Sequence, residues 1–187
     1  MVTIIADEGK NQFGTKLYTA LESKGVKTDY VSLEKVEVKP CISCNGCTGT
    51  TYGKCVFRDD GDWIYPKVLR SDAVVFVSPI VFGSYSFKLK RVFDKIVLVM
   101  DRHYFVERNE LVKGGLQGKP LKLFVVGVKE NCLLEEEDAF KRLVHENHLI
   151  TRGSGKAYAV DSVSWPEKRI VADILEKVFG REKAAAY

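Results

Sequence analysis

The fold class the sequence predicts is a three-layer α/β sandwich around a five-stranded parallel sheet, and three observations predict it. Short apolar runs rich in Val and Ile alternate five times with stretches whose apolar residues fall at helical spacing. The central runs are continuously apolar, as in strands buried on both faces. The 187 residues, 45% hydrophobic and 29% charged, suit one such unit spanning residues 1–187.

The elements follow in order. Val2-Thr3-Ile4-Ile5-Ala6 is a β-branched run and reads as the first strand. From Thr15 to Lys24, Leu17, Ala20 and Leu21 follow helical spacing, and Gly25 supplies the stop. Lys27–Leu33 reads as the second strand. Residues 34–59 show little regular pattern and carry four cysteines. Asp60–Ser71 reads as a helix through Ile64, Val68 and Leu69, and Ala73–Val77 as a fully buried strand.

A Pro/Gly/Ser-rich loop at 78–86 leads into an amphipathic helix expected over 87–100, through Leu89, Val92, Phe93, Ile96, Val99 and Met100. Residues 101–119 read as irregular, with three glycines. Leu121–Gly127 is the next strand. Glu135–Asn147 is a helix whose acidic opening suits the positive end of the helix dipole. Lys156–Val160 and Pro166–Phe179 complete the pattern as a strand and a helix, and Lys183–Tyr187 reads as a frayed tail or helix end.

A net charge of +4, from basic residues spread along the chain, gives no footprint for nucleic acid. No run approaches the roughly 18 apolar residues of a membrane span. The first residues lack a basic leader and a small-residue cleavage site, so a cytoplasmic protein is expected.

The cysteines are the informative count. Cys41, Cys44, Cys47 and Cys55 fall in a short span and Cys132 stands apart, an odd total that argues against a paired secreted framework. In a reducing compartment such a run points to metal or redox chemistry. The C-x2-C-x2-C spacing lets one tight turn aim several thiolates at an inorganic centre. The small neighbours Ser43, Gly46, Thr48, Gly49 and Gly53 let the backbone wrap closely and offer amides to sulfide, and Lys39, Lys54 and Arg58 could offset the charge of a four-thiolate centre. Structural zinc more often uses two separated ligand pairs, which favours iron–sulfur. A metal-free or disulfide-forming loop is the competing reading. Cys132 is expected to be an ordinary buried cysteine.

In doubly wound sheets, ligands bind beyond the carboxyl ends of the strands. Those ends here carry residues 7–15, 78–86 and 127–134. The first leads into a helix N-terminus, where free amides suit a phosphate. The second offers amides, hydroxyls and aromatic surface to a flat ring. Thr15 can serve as a cap or a phosphate contact, and Phe82 and Tyr85 as loop packing or ring contacts. Asp59 and Asp60 read as helix caps, and His103, His145 and His148 as surface or structural residues.

The cysteine run, Gly53–Asp60, Ser78–Lys95 and the Gly118-Lys119-Pro120 that precedes the fourth strand together resemble the iron–sulfur flavoproteins, a branch of the NADPH-dependent FMN reductase group of flavodoxin-like proteins. The resemblance spans nearly the whole chain. It implies strand order 2-1-3-4-5. It implies an FMN with its phosphate at Gly9, Lys10, Asn11, Gly14 and Thr15 and its ring against Pro79, Ile80, Val81, Phe82, Gly83 and Ser84. It further implies a 4Fe–4S cluster on Cys41, Cys44, Cys47 and Cys55, and a homodimer or homotetramer in which cluster and flavin meet between subunits.

Two places depart from the family pattern. Asp7 and Glu8 precede Gly9 where the group usually has a G-S-x-R-x-x-S/G-N-T loop, of which Asn11, Gly14 and Thr15 fit, and the loop after the fourth strand, often glycine-rich in the group, is Gly127–Asn131. Carboxylates repel a phosphate unless they point away. The expected function is electron transfer between cluster and FMN, with a ferredoxin-like protein or NAD(P)H as donor and a quinone or oxygen species as acceptor. An NAD(P)H-dependent FMN or quinone reductase without a cluster and a flavin-less module are the alternatives.

Overall fold

The computed structural model describes residues 1–116, 119–161 and 163–180. Five parallel strands make its central sheet: β1 (Val2–Ala6), β2 (Thr28–Ser32), β3 (Ala73–Pro79), β6 (Lys122–Lys129) and β7 (Ser154–Asp161), in the order β2-β1-β3-β6-β7. This is the expected 2-1-3-4-5 pattern; the two numbers skipped belong to a hairpin outside the sheet. The order reverses between β1 and β3, so a crevice opens where the loops after those strands diverge.

Side chains along each central strand alternate between two apolar layers. Ile5, Val74, Phe76, Leu123 and Val125 join one core. It is closed by α2 (Gly61–Arg70), α3 (Phe87–Asp94) and α4 (Leu134–Ile150). Ile4, Val75, Val77, Phe124 and Val126 face the other, closed by α1 (Phe13–Ser23) and α5 (Glu167–Phe179). This two-sided burial is why the runs read as continuously apolar rather than alternating.

Two expectations are corrected. The helix expected over 87–100 ends at Asp94, and Ile96–Val99 form a tighter 3-10 turn. The break falls at Lys95, whose ammonium turns inward to Asp59. Residues expected to be irregular contain an antiparallel hairpin, β4 (Tyr104–Glu107) with β5 (Glu110–Lys113). Its two-residue turn puts Arg108 and Asn109 at φ 50° and 63°, the left-handed pair that hairpin twist favours. The Tyr104-Phe105-Val106 run and Asn109 were the available signals for it. Gly118 and the Lys183–Tyr187 tail lie outside the described residues.

Candidate functional site

The loop after β1 ends in α1, whose first amides have no partner within the helix. Glu8 supplies one: its carboxylate accepts the Thr15 backbone N–H at 3.0 Å and the Thr15 hydroxyl at 2.7 Å. Tyr30, reaching over from β2, donates its phenol to the same carboxylate. Burial first and this bond second push the Tyr30 phenol up to about 12. Gly14 makes room, because a Cβ there would lie 2.9 Å from the Glu8 Oε2 and 2.6 Å from the Ala6 Cβ. Asp7 turns the other way, to the Lys88 ammonium at 3.3 Å. Asn11 donates its side-chain amide to Glu130 at 3.0 Å and so ties this loop to the one after β6. Gly9 and Lys10 are exposed.

Across the crevice, β3 runs out through Pro79, and the buried Ile80 donates its N–H to the Val128 carbonyl at 2.9 Å. Val81 and Ser84 exchange backbone bonds at 2.9 Å each, closing a turn with Phe82 and Gly83 at its tip. Both tip residues have positive φ, 49° and 72°. Gly83 is needed there, since a Cβ would meet Ala139 of α4 at 2.7 Å. Phe82 is 92% exposed. Tyr85, by contrast, is core: its ring packs against Phe76, Phe93 and Phe140, and its hydroxyl accepts from Asn147 at 2.6 Å. Of the two aromatic residues in this loop, only Phe82 is exposed.

The cysteine loop is gathered at its neck by two carboxylates. Asp59 accepts the Lys39 N–H and the Gly61 N–H, both at 2.8 Å. Asp60 accepts the Glu37 N–H at 2.7 Å and the Trp63 indole at 2.9 Å. Both read as helix caps in the sequence; Gly61 is the capping contact, the Trp63 indole bond stays at the head of α2, and the bonds from Lys39 and Glu37 close the neck. Behind them Asp59 pairs with Lys95, and the two side chains are only 3% and 2% exposed. Nothing in the sequence around Lys95 signals that pair, because its partner comes from the far side of the cysteine loop.

All four clustered cysteines line one cavity, with Asp94, Lys95, Val97 and Leu98 along another side of it. Cys41 and Cys44 are exposed, whereas Cys47 and Cys55 are half-buried. Burial, and then the neighbouring Cys41, push the Cys47 thiol up. Burial pulls the Lys113 ammonium down, against the opposing influence of Cys47 nearby.

The amides of Thr48, Gly49 and Gly53 bond to carbonyls of the loop itself. Cys132 is half-buried beside α4 rather than fully buried, and its thiol donates to the Leu133 carbonyl at 3.4 Å.

Four thiols border one cavity, and among the described residues no three His, Cys, Asp or Glu side chains converge to hold a metal ion.

The comparisons with known proteins decide the family. A model described as NADPH-dependent FMN reductase matches residues 5–162. The chain belongs to the NADPH-dependent FMN reductase family. Within it, the chain is similar to an iron–sulfur flavoprotein of Methanosarcina thermophila, 35% identical over 96 residues, 51% of this chain and 49% of that protein. It is also similar to an iron–sulfur flavoprotein of Methanocaldococcus jannaschii, 38% identical over 76 residues, 41% of this chain and 38% of that protein.

The chain thus spans half or less of the length of the curated relatives it matches. Among solved structures, a putative quinone reductase from Klebsiella pneumoniae superposes with a TM-score of 0.66 at 12% identity, covering 95% of this chain and 84% of that one. That likeness speaks to the flavodoxin-like fold alone.

Proposed function

We propose that this FMN reductase family member is an electron-transfer protein in which Cys41, Cys44, Cys47 and Cys55 hold a 4Fe–4S cluster beside a flavin ring taken by residues 79–84. The observation that carries the reading is the single cavity bordered by all four thiols. Thiolates are soft ligands suited to iron–sulfur centres. A bound cluster would supply uptake and release of one electron at a time. The chain's own part is to hold the thiols and set their surroundings. Asp59 and Asp60 close the neck, Val97 and Leu98 give the cavity an apolar side, and the buried Lys95 places a cation next to the thiolates.

No helix is long and apolar enough to cross a membrane among the described residues. The partners we propose are a ferredoxin-like protein or NAD(P)H as donor and a quinone or oxygen species as acceptor. The setting we propose is the cytoplasm, as a homodimer or homotetramer. One observation favours a second reading, in which FMN is not firmly held: the Glu8 carboxylate at the head of α1.

Anaerobic purification, with iron, acid-labile sulfide and flavin assayed per chain, tests the first reading. About four irons with matching sulfide supports it. Neither iron nor sulfide after reconstitution of the reduced thiols overturns it.

A further inference from the structure

FMN, the flavin the family implies, ends in a phosphate, and the residues at the head of α1 do not fit one. The phosphate's seat in such a fold is the helix N-terminus after β1. In this chain the seat is filled from within. The Glu8 carboxylate takes the Thr15 amide, the Thr15 hydroxyl and the Tyr30 phenol. The donors come from α1 and β2, so two separate elements are shaped around one anion. Gly14 leaves the space the carboxylate enters, and any side chain there would press on the Glu8 Oε2. Asn11, the other polar residue expected to meet a phosphate, is committed to Glu130.

We propose that Glu8 stands in for the phosphate in this chain, so that a flavin is held by its ring alone and FMN gains no affinity over riboflavin from its phosphate. A phosphate monoester carries a charge of about −1.5 to −2 near neutrality. Brought to this seat it would meet a carboxylate already bonded to Thr15 and Tyr30, and like charges at such range repel. Riboflavin carries no charge at that end. The inference rests on the flavin half of the proposed function and is independent of the cluster.

Equilibrium binding of riboflavin and of FMN to the full chain, read by quenching of flavin fluorescence, tests it. The native protein is expected to bind FMN no more tightly than riboflavin. Glu8→Ser removes the charge and adds a hydroxyl. It is expected to raise FMN affinity by about tenfold or more and to leave riboflavin affinity unchanged. Glu8→Gln, which keeps the side chain's shape, serves if the serine variant does not fold, and the native comparison needs no variant.

An FMN preference of about tenfold or more in the native protein overturns the proposal alone. So does a folded Glu8 variant with unchanged FMN affinity. Failure of riboflavin and FMN to bind any form overturns it together with the flavin half of the function, leaving the iron assay to decide the rest.

Discussion

The loop after β1 and the cysteine loop are both organised by carboxylates, and they differ in where those carboxylates point. Glu8 aims into the head of α1 and takes the amide and hydroxyl of Thr15, so its loop folds onto itself. Asp59 and Asp60 reach across the neck of the longer loop instead, binding Lys39 and Glu37, and leave the thiols facing a shared cavity. The same chemical device fills one site and frames the other. A carboxylate that meets a helix's free amides removes an anion site, whereas one that meets the backbone on both sides of a loop preserves the space inside it.

Breaking the framed site should give the largest effects. Cys47→Ser is expected to reduce iron after anaerobic reconstitution from about four per chain to below about one, while Cys132→Ser keeps its full complement. Equal loss in both variants would mean that the cavity is not the binding place.

Asp59→Ala should come next, because it leaves the Lys95 ammonium buried without its partner and opens the neck. Removal of one member of a buried pair costs about 3–5 kcal/mol, measurable by urea denaturation. A loss below about 1 kcal/mol would show that water reaches Lys95 readily.

The filled site can be broken by size. Gly14→Ala places a Cβ 2.6 Å from the Ala6 Cβ and 2.9 Å from the Glu8 carboxylate, with an expected loss of about 1–3 kcal/mol in the same assay.

Alkali sharpens the contrast more gently. Tyr30 and Tyr85 both rise from 10.0 to about 12 in the folded protein, Tyr30 through burial and Glu8, Tyr85 through burial. The fold therefore favours the protonated phenols. The stability they lend is complete below pH 10 and drains away as the pH climbs from 10 to about 12. Burial also raises the phenols of Tyr65 and Tyr158, so tyrosinate absorbance should show four late-titrating phenols in the native protein, and Glu8→Gln should bring Tyr30 down while leaving Tyr85 in place.

The smallest effect belongs to the turn tip. Phe82→Ser is expected to change stability by no more than about 0.5 kcal/mol, since the ring touches mostly water. A substantial loss would reveal packing that the 92% exposure denies.

Much of this architecture was legible beforehand. The five strands and most helices follow from burial pattern, which neighbouring residues carry locally. The hairpin at 104–113 leaves little trace in the sequence because its strands are short and largely exposed and no glycine marks the turn. The end of α3 was missed because apolar residues continue at nearly helical spacing through the 3-10 turn, so the pattern hides the break at Lys95. The cysteine loop could be recognised by spacing alone. The loop after β1 could be recognised as unusual in its acidic residues, but not as closed.

By itself the sequence determined the layer architecture and the four-thiol run, because apolar periodicity and short ligand spacings are properties of adjacent residues. Only the tertiary structure decided which polar groups meet. Glu8 finds Tyr30 across 22 positions, and Asp59 finds Lys95 across 36. Those encounters depend on which strands lie side by side and which helix packs over them. A hydrogen bond needs its atoms within about 3 Å, and distance along the chain does not report distance in the fold.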